Sequence, residues 1–527
     1  MTADPTGFAH AYASAILRRG REPMPPTDFA PDWSDAPRRG KYYPHATTFP
    51  LPEPRPAGAA LDTALAAGAD TDAPFTTELL AGMLHHSYGL LGRRLGIQAN
   101  TDLGALPSYA HANWHRGTAS GGGLYPCSVY WAAGPGAGVT PGVYYYAHAR
   151  HAMQRLLAGD VTDRVRAALG GHAAGQFLII GVKYWQNSFK YNNFSYHAVS
   201  MDVGTVLQTW RMWAGAHGLR IRPVLWFDQA ALGDLLGLAT DDEAMFAVVP
   251  LTWTIAPAGP PPRTAPRPRV RHADQERSRT LLDFDTLGRI HRSTAAAAAH
   301  RPAAGALAAA AAHPVPPGPR LPLPPAEPMD MPLSDALRRR RSSFGRFQAD
   351  RPMTAAQLSA LLSATAATAV DCEAATAQDG PLAKVYAFVN HVTGVPAGGY
   401  EYDPAGHCLR RVTEAPPGMF LQRNYFLANY NLEQAAAVLV PTVRSHAVLD
   451  AVGDRGYNLV NATIGAISQT FYTAAAALRL GGGVALGFDN VSYVEELGLA
   501  QTGEFPLLIM LAGHERGGLG DYRYELR

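Results

Sequence analysis

Two lysine–tyrosine pairs, Lys183-Tyr184 and Lys190-Tyr191, are the residues of this sequence best suited to move a proton. The chain has only two other lysines, Lys41 and Lys384, and arginine supplies nearly all of its positive charge. An arginine cannot release its proton near neutral pH, whereas a lysine can once it is buried or placed near another cation. The pairs therefore indicate a proton-handling site, with a surface lysine beside a packed tyrosine as the common alternative.

A run of arginines followed by two hydroxyl residues opens the second half of the chain. Residues 338–341 are all arginine, and Ser342 and Ser343 come directly after them. Guanidinium groups, a hydroxyl and the free N–H groups of a helix start converge well on a phosphate. The run therefore favours an anion site, although arginine runs are more often solvated faces.

Two glycine segments offer backbone that a flat ligand can approach closely. The first is Ser120-Gly121-Gly122-Gly123, and the second is Gly481-Gly482-Gly483. Glycine permits this approach because it has no Cβ. An ordinary turn explains the first segment as well, and the end of a helix explains the second.

Length, charge and hydropathy exclude several classes of protein. With 527 residues, 47% of them hydrophobic and 17% charged, the chain is expected to form a globular protein of two or three domains. A formal net charge of +2 argues against a nucleic-acid partner. No stretch of about 18 apolar residues occurs, and residues 1–20 do not read as a signal peptide, so no membrane association is expected.

The cysteines and histidines give no sign of a disulfide framework or a metal site. Cys127, Cys372 and Cys408 are odd in number and widely spaced, which fits a reducing cytoplasm. His111 and His115 stand four residues apart, as in metal-binding helices, but no acidic third ligand follows in helical register. We therefore expect a cytoplasmic protein without a metal.

Shifts in composition divide the chain into four regions. Residues 1–60 are rich in proline, arginine and tyrosine and are predicted to be an extended N-terminal arm. Residues 256–330, dominated by proline, alanine and arginine, are predicted to be a linker. Between and after them, residues 61–255 and 331–527 carry the hydrophobic periodicity of two folded domains. In the first domain we predict a helix over 203–214 and strands over 124–132, 143–146, 177–182 and 246–253.

The two folded regions are copies of one domain. Ser195–Gly204 aligns without gaps on Gly456–Gly465, and two further matches keep the same order. At this offset Lys190-Tyr191 aligns with Ala451-Val452, so the second copy has lost the pair. The first copy in turn lacks the arginine run. This divergence predicts a covalent pseudo-dimer in which each copy supplies part of one composite site.

Together these segments resemble the SagB-type azoline dehydrogenases, flavoproteins of the nitroreductase fold that act in ribosomal-peptide biosynthesis. The resemblance rests on S-G-G-G-L-Y-P (120–126), G-V-Y-Y-Y…H (142–151), F-K-Y-N-N-F-S-Y (189–196) and R-R-S-S-F-G-R-F (340–347). It covers nearly the whole chain except the arm and the linker. The tandem form is similar to the dehydrogenases found with thiazole- and oxazole-containing peptides such as thiopeptides. Where many relatives have Glu-x-Gly-His, this chain has Asp202-Val203-Gly204-Thr205.

The resemblance implies an α+β fold of tandem nitroreductase-like domains, each an antiparallel sheet flanked by helices, with FMN bound between the two copies of an intramolecular pseudo-dimer. It assigns Lys190 and Tyr191 to catalysis and leaves Lys183 as a decoy or helper. Arg338 and Arg341 are alternatives for the phosphate if the register slips. The residues assigned to FMN are Arg339, Arg340 and Ser342 for the phosphate and ribityl group, Ser120, Gly121 and Gly122 from the opposing copy, and Gly482 and Gly483 from the late glycine segment.

The implied activity is the oxidation of thiazoline or oxazoline rings to thiazoles or oxazoles in a ribosomally made precursor peptide. The ring loses a proton from its α-carbon to a base, for which a lysine of lowered pKa is suited, and a hydride equivalent from its β-carbon to FMN. We expect dioxygen to reoxidise the flavin, and we expect the azoline peptide and a cyclodehydratase or other biosynthetic protein as partners. Two alternatives stay open: a small-molecule nitro or flavin reductase, and a catalytically reduced scaffold partner of a cyclodehydratase.

Overall fold

The computed structural model describes residues 7–66, 74–95, 112–253, 268–376, 378–517 and 522–526. The helices and strands of the first half are α1 (Phe8–Arg18), β1 (Thr47–Pro50), α2 (Leu61–Leu65), α3 (Thr77–Tyr88), β2 (Gly92–Leu95), β3 (Ala112–His115), β4 (Cys127–Ala133), β5 (Gly142–Ala147), β6 (Ala152–Ala158), α4 (Thr162–Ala168), β7 (Gln176–Lys183), α5 (Trp185–Tyr191), α6 (Ser195–Ala216), α7 (Gln229–Leu236) and β8 (Glu243–Leu251).

The second half repeats this order with additions. Its elements are α8 (Asp285–Ala296), β9 (Arg320–Pro322), α9 (Leu333–Arg339), β10 (Met353–Thr354), α10 (Ala355–Ala366), β11 (Ala383–Val389), β12 (Val392–Thr393), β13 (Gly398–Asp403), β14 (Cys408–Thr413), α11 (Gly418–Arg423), β15 (Ala437–Val443), α12 (Ser445–Val452), α13 (Gly456–Ala477), β16 (Gly481–Ala485), α14 (Asn490–Glu496), β17 (Phe505–Pro506), β18 (Ile509–Gly513) and β19 (Arg523–Glu525).

Each half is built on an antiparallel sheet with the same strand order. The first sheet runs β1-β6-β5-β4-β7-β8, and the second runs β9-β14-β13-β11-β15-β18 with β16 added at its edge. Nearly all residues of these central strands are buried because helices cover the sheets. Near the C-terminus, β19 pairs with β2, which also pairs with β3, so the end of the second half completes a small sheet of the first half.

Two long helices, α6 and α13, form the centre of the molecule and confirm the duplication. Both have 22 residues, and both ends of α13 lie 261 positions after those of α6. They cross at Gly204 and Gly465, which the same offset relates. A Cβ on Gly204 would overlap the carbonyl oxygen of Ala462, and one on Gly465 would overlap that of Met201. Glycine is therefore required on both helices for the backbones to pack this closely.

Polar contacts between the two central helices obey the same pseudo-two-fold relation. The hydroxyl of Tyr196 donates to Oδ1 of Asn458 at 2.7 Å. In the reciprocal contact, the hydroxyl of Tyr457 lies 2.8 Å from Nδ1 of His197. All four side chains are buried, so the pairing satisfies groups that would otherwise lack water. These contacts tie the halves into one body.

The predicted arm and linker both contain regular structure that packs on the two domains. Within residues 1–60, α1 contacts α8 and α12, and β1 pairs with β6. Within residues 256–330, of which 256–267 lie outside the described part, β9 pairs with β14. The boundaries of the four predicted regions stay predictions. Among the described residues, no helix combines the length and the apolar character needed to cross a bilayer.

Candidate functional site

The Lys-Tyr pair lies at the end of the short helix α5, directly after the central strand β7. Lys190 and Tyr191 occupy its last turn, and Asn192 ends it with a φ of 41°. Strand β7 lies between β4 and β8 in the sheet and is buried along almost its whole length, which fixes where the following helix begins. In the second half, α12 takes the place of α5 and carries Ala451 and Val452 at the corresponding positions.

The glycine turn of the first half lies against this pair. Gly122 has a φ of 60°, and a Cβ placed on it would lie 2.8 Å from Nζ of Lys190 and closer still to the hydroxyl of Tyr191. Both the positive φ and the lack of space require glycine at this position. The structure therefore brings together the predicted residues Gly122, Lys190 and Tyr191.

The four lysines differ in whether a carboxylate neutralises them. Lys41 pairs with Glu243, Lys384 pairs with Glu401, and Lys183 pairs with Asp274 at 2.7 Å and Glu276 at 2.6 Å. Lys190 has no carboxylate partner among the described residues; its ammonium group lies over the ring of Tyr191.

Burial and neighbouring charges move the pKa values of the two candidate lysines in opposite directions. Burial, and then the charge of Arg39, lower the pKa of Lys190 below its ordinary value. Burial also acts to lower the pKa of Lys183, but its hydrogen bonds to Asp274 and Glu276 outweigh this and raise the pKa. Lys190 is therefore the lysine suited to accept a proton, whereas Lys183 is a structural ion-pair residue.

Asp202, on α6, holds the glycine turn in place. Its carboxylate accepts hydrogen bonds from the hydroxyl of Ser120 at 2.6 Å and from the amide of Gly121 at 2.9 Å. Burial raises the pKa of Asp202 to about 7. Burial and the charge of Asp202 also raise the pKa of Tyr191, to about 12, so this phenol keeps its proton at neutral pH. Tyr191 is therefore placed as a hydrogen-bond donor.

Arg340, predicted as a phosphate ligand, bonds to backbone of the other half. Its guanidinium donates to the carbonyl oxygens of Arg116 and Gly117 at 2.9 Å each and of Thr118 at 3.4 Å. These three residues lead directly into the glycine turn. Arg340 therefore fixes the second half against the segment that carries Ser120, and its predicted contact with a phosphate stays a prediction.

An arginine-rich cavity lies beside Arg340. It has a volume of about 190 Å³. One carboxylate, Glu515, lines it and pairs with Arg341 at 2.9 Å. The side chains of Arg339 and Arg479 have no hydrogen-bond or ion-pair partner in the part of the chain that the structure describes. The cationic residues of the lining are Arg94, Arg339, Arg340, Arg341, Arg479 and Arg523.

Six arginines and one carboxylate line this cavity, so its positive charge is only partly compensated and favours an anion. Burial, together with the neighbouring charges of Arg523, Arg340 and Arg341, lowers the pKa of Arg94 to about 9. Such mutual repulsion is relieved when a dianion such as a phosphate enters. The cavity therefore fits the anion site that the arginine run predicts, with Arg339 and Arg479 free to bind.

The late glycine segment forms strand β16 rather than the end of a helix. Gly482 and Ser342 form a parallel β-bridge, and the amide of Ser343 donates to the carbonyl of Gly482 at 2.8 Å. A Cβ on Gly483 would lie 2.7 Å from the ring of Tyr430. The segment is thus hydrogen-bonded to the end of the arginine run. Its residues Gly481 and Gly482 line the same cavity.

The two groups of predicted residues are joined through residues 116–119. The amide of Ala119 donates to Oε1 of Gln469 on α13 at 2.9 Å, and Nε2 of the same glutamine donates to the carbonyl of Gly117. Arg340 binds the same segment from the other side. The Lys190 group of the first half and the arginine cavity of the second half are thereby held at one domain interface.

Sequence reasoning missed several residues of this region. Arg479 directly precedes Leu480-Gly481, so its place before the glycine segment was a usable signal. Asp202 was noticed only as a departure from relatives. Arg39 and Trp33 belong to the predicted arm, where no local pattern links them to Lys190. His111, considered as a metal ligand, lies outside the described residues.

The pseudo-equivalent segment in the other half carries arginines in place of glycines. At the 261-residue offset, Gly481 and Gly483 correspond to Arg220 and Arg222. Both guanidinium groups pair with Asp371, at 2.6 and 3.4 Å. The backbone that glycine leaves accessible in one half therefore carries two long, ion-paired side chains in the other.

Comparison with known proteins agrees with this architecture. Residues 337–514 match the model of the nitroreductase family. The chain is 29% identical over 191 residues to "Putative nitroreductase MJ1384" of Methanocaldococcus jannaschii. The aligned region covers 35% of this chain and 91% of that protein.

Solved structures show the fold of the whole chain. A crystal structure of a "putative nitroreductase" from Anabaena variabilis superposes with a TM-score of 0.69 and 21% identity, covering 97% of this chain and 100% of that one. A chain of the Escherichia coli microcin synthetase McbBCD complex matches 34% of this chain and 70% of its own length, at 18% identity and a TM-score of 0.29. The predicted α+β architecture is confirmed: residues 337–514 form a nitroreductase-family domain within a chain of two tandem nitroreductase-like domains.

Proposed function

We propose that the protein is an FMN-dependent oxidoreductase that oxidises thiazoline or oxazoline rings of a ribosomally made peptide to thiazoles or oxazoles. The match of residues 337–514 to the nitroreductase family supports the more general statement, that the protein is a flavin-dependent oxidoreductase. The finer part rests on Lys190, which in the described residues is the lysine without a carboxylate and lies in contact with Gly122.

The residues present fit an FMN molecule. The cavity of about 190 Å³ presents Arg339 and Arg479 without partners, as a phosphate requires. Ser342 and Gly482 form a β-bridge beside this cavity, and Gly483 follows Gly482 in β16. The first half supplies a turn with little side-chain bulk, Ser120-Gly121-Gly122. Arg340 of the second half hydrogen-bonds to the backbone that leads into this turn. When bound, FMN supplies the acceptor for the hydride equivalent.

Lys190 is the proposed base. Conversion of an azoline to an azole removes two hydrogens: a proton from the α-carbon and a hydride equivalent from the β-carbon. The proton goes to the amine of Lys190 in its neutral form, which burial and the charge of Arg39 favour by lowering the pKa of this lysine. A reductase that only passes electrons to a small molecule needs no such base, so Lys190 is the observation that carries the proposal.

Tyr191 is proposed to position the ring. Its hydroxyl lies against Gly122 beside Nζ of Lys190, and burial keeps it protonated. A protonated phenol can donate a hydrogen bond to the azoline nitrogen, and thereby acidify the α-carbon, without competing with Lys190 for the proton.

The test is to purify the full chain, record its visible spectrum and incubate it with a peptide that bears thiazoline or oxazoline rings. We expect a yellow protein and a mass loss of two hydrogens per ring. A colourless protein that takes up no FMN on reconstitution would contradict both enzyme functions and favour the scaffold alternative.

A second candidate is a small-molecule nitro or flavin reductase, which the family match of residues 337–514 favours. The same preparation separates it from the first. A protein that binds FMN and reduces a nitroaromatic compound with a nicotinamide donor, but leaves azoline peptides unchanged, would replace the first proposal by this one.

A further inference from the structure

Part of the N-terminal arm lies directly over the Lys190 helix. The ring of Trp33 packs edge-to-face on Phe189, with centroids 5.2 Å apart, and its centroid is 5.8 Å from Nζ of Lys190. Trp33 is nevertheless 54% exposed. A large aromatic surface is therefore open to solvent beside the proposed base.

Arg39, also in the arm, reaches the glycine turn from the same side. Its Nη1 donates to the carbonyl of Gly123 at 3.0 Å, and the preceding residue, Gly122, is the one that contacts Lys190. Among the described residues, the charged and titratable groups around Lys190 are Arg39 from the arm, Tyr191 on its own helix and Asp202 beyond the turn. Of these three, Arg39 adds positive charge.

The predicted linker holds this part of the arm in place. The carboxylate of Asp35 accepts hydrogen bonds from the amides of Arg279 and Thr280, and the hydroxyl of Ser278 donates to the carbonyl of Asp35 at 2.7 Å. Nε1 of Trp185, at the start of α5, donates to the same hydroxyl of Ser278 at 2.8 Å. These bonds fix the turn that carries Trp33 against the start of α5.

The second half provides an internal comparison. There a 3₁₀ turn, Ala306–Ala310, precedes β9 and packs on α12, as the 3₁₀ turn Trp33–Asp35 precedes β1 and packs on α5. Leu307 and Ala310 of that turn are fully buried, whereas Trp33–Asp35 has no buried residue. In the second half the turn therefore covers the helix that has lost the Lys-Tyr pair. In the first half the corresponding turn leaves the surface beside Lys190 exposed.

We propose that the arm supplies two positioning residues to this site: Trp33, as an aromatic wall for the five-membered ring of the substrate, and Arg39, as a fixed positive charge beside Lys190. This inference rests on the proposed function, in which Lys190 is the base. A flat heterocycle stacks favourably on an indole ring, and a neighbouring cation favours the neutral form of an amine.

Arg39 is tested by measuring the protonation of Lys190 directly. The wild-type protein and the Arg39→Met and Arg39→Lys variants are labelled with an amine-reactive reagent over a range of pH, and the modified lysines are quantified by mass spectrometry. The wild-type chain has four lysines and Arg39→Lys has five, and each is followed separately by the mass of its own peptide. We expect the midpoint for Lys190 to move to higher pH in Arg39→Met and to return in Arg39→Lys, with Lys183 unchanged in the same digests.

An unchanged Lys190 midpoint in a folded Arg39→Met protein would overturn the role of Arg39. The measurement needs no turnover, so it decides this role even if the wild-type protein oxidises no azoline, a result that would instead remove the proposed function.

Trp33 is tested by calorimetric binding of a thiazole-bearing product peptide to the full chain. We expect Trp33→Ala to weaken binding from a few-fold to about tenfold, the range for loss of one aromatic contact, and Trp33→Phe to restore most of it. Trp114→Ala, which removes another exposed tryptophan, is the matched control. Equal affinity of Trp33→Ala and wild type, or no binding by either, would overturn the aromatic wall.

Discussion

Gly122 and Lys190 are in contact although they lie in different segments of the first half: a Cβ on Gly122 would come within 2.8 Å of the Lys190 ammonium nitrogen. The contact means that the glycine turn and the lysine form one site rather than two separate patterns. Asp202 accepts a hydrogen bond from the amide of Gly121 in this turn. Arg340, from the second half, donates one to the carbonyl of Gly117, which precedes the turn. Both copies of the domain thus contact the segment that brings the glycine turn to Lys190.

Replacement of Lys190 by alanine should remove azole formation and leave flavin binding intact. Loss of a positioned base typically costs about 10² to 10⁴ in rate, and within the described part of the chain this lysine makes no ion pair on which folding depends. Turnover is followed by mass spectrometry and flavin content by absorbance. Lys183→Ala is the control: it should keep its activity and lose thermal stability, because it breaks the ion pairs with Asp274 and Glu276. Parent-rate turnover by Lys190→Ala would refute the base assignment.

Gly122 and Gly123 offer a matched pair of substitutions. Both have a positive φ, so alanine strains either position by about 1 kcal/mol, but a Cβ on Gly122 meets Lys190 and Tyr191 whereas one on Gly123 meets nothing within 4 Å. We expect Gly122→Ala to lower azole formation much more than Gly123→Ala, at a similar midpoint of thermal unfolding. Equal activity of the two variants would show that the contact is unimportant.

Arg339→Ala and Arg479→Ala should each weaken FMN binding. Loss of one charge-assisted hydrogen bond costs about 1.5–3 kcal/mol, which corresponds to roughly a ten- to hundredfold higher Kd. The measurement is a fluorescence titration of the flavin-free protein with FMN. Arg150→Ala, at an exposed position, is the control. If both cavity variants bound FMN like the control, the phosphate would have to lie elsewhere.

Each chain should bind one FMN. Arg220 and Arg222, paired with Asp371, stand where the other half has Gly481 and Gly483. At the offset that relates α2 to α9, Arg339–Ser342 align with 67–70, which contain no arginine. Flavin released by denaturation, divided by protein concentration, should approach one. A ratio of two would mean that the region around Arg220 and Arg222 also binds a flavin.

Asp202→Asn should change how stability depends on pH. Burial raises the pKa of Asp202 to about 7, above about 3.9 in an unfolded chain. Between these values the folded state holds a proton that the unfolded state has lost, so this carboxyl lowers the free energy of unfolding as pH rises from about 4 to 7. The asparagine variant lacks this loss, on the order of a few kcal/mol. Thermal unfolding of both proteins across this range is the measurement, and parallel curves would contradict the assigned pKa.

Much of the architecture follows from sequence patterns alone. The ungapped match of Ser195–Gly204 with Gly456–Gly465 predicted two copies, and the helices α6 and α13 confirm it with equal lengths and a constant offset. This was possible because helix packing across a pseudo-two-fold axis constrains every turn of both helices, which preserves their spacing. Strands such as β7 and β8 were equally readable, because a strand buried on both faces is a continuous apolar run.

The sequence by itself determined the duplication, the strands β4, β5, β7 and β8, part of helix α6, and the candidate pair Lys190-Tyr191, because each depends on a pattern of residues close together in the chain. Only the tertiary structure decided that Lys183 is neutralised by Asp274 and Glu276 while Lys190 is not. It also placed Arg39 beside Lys190 and turned Arg340 towards backbone carbonyls. Charge and burial at a side chain are set by neighbours from distant segments, and no local pattern encodes which neighbours those are.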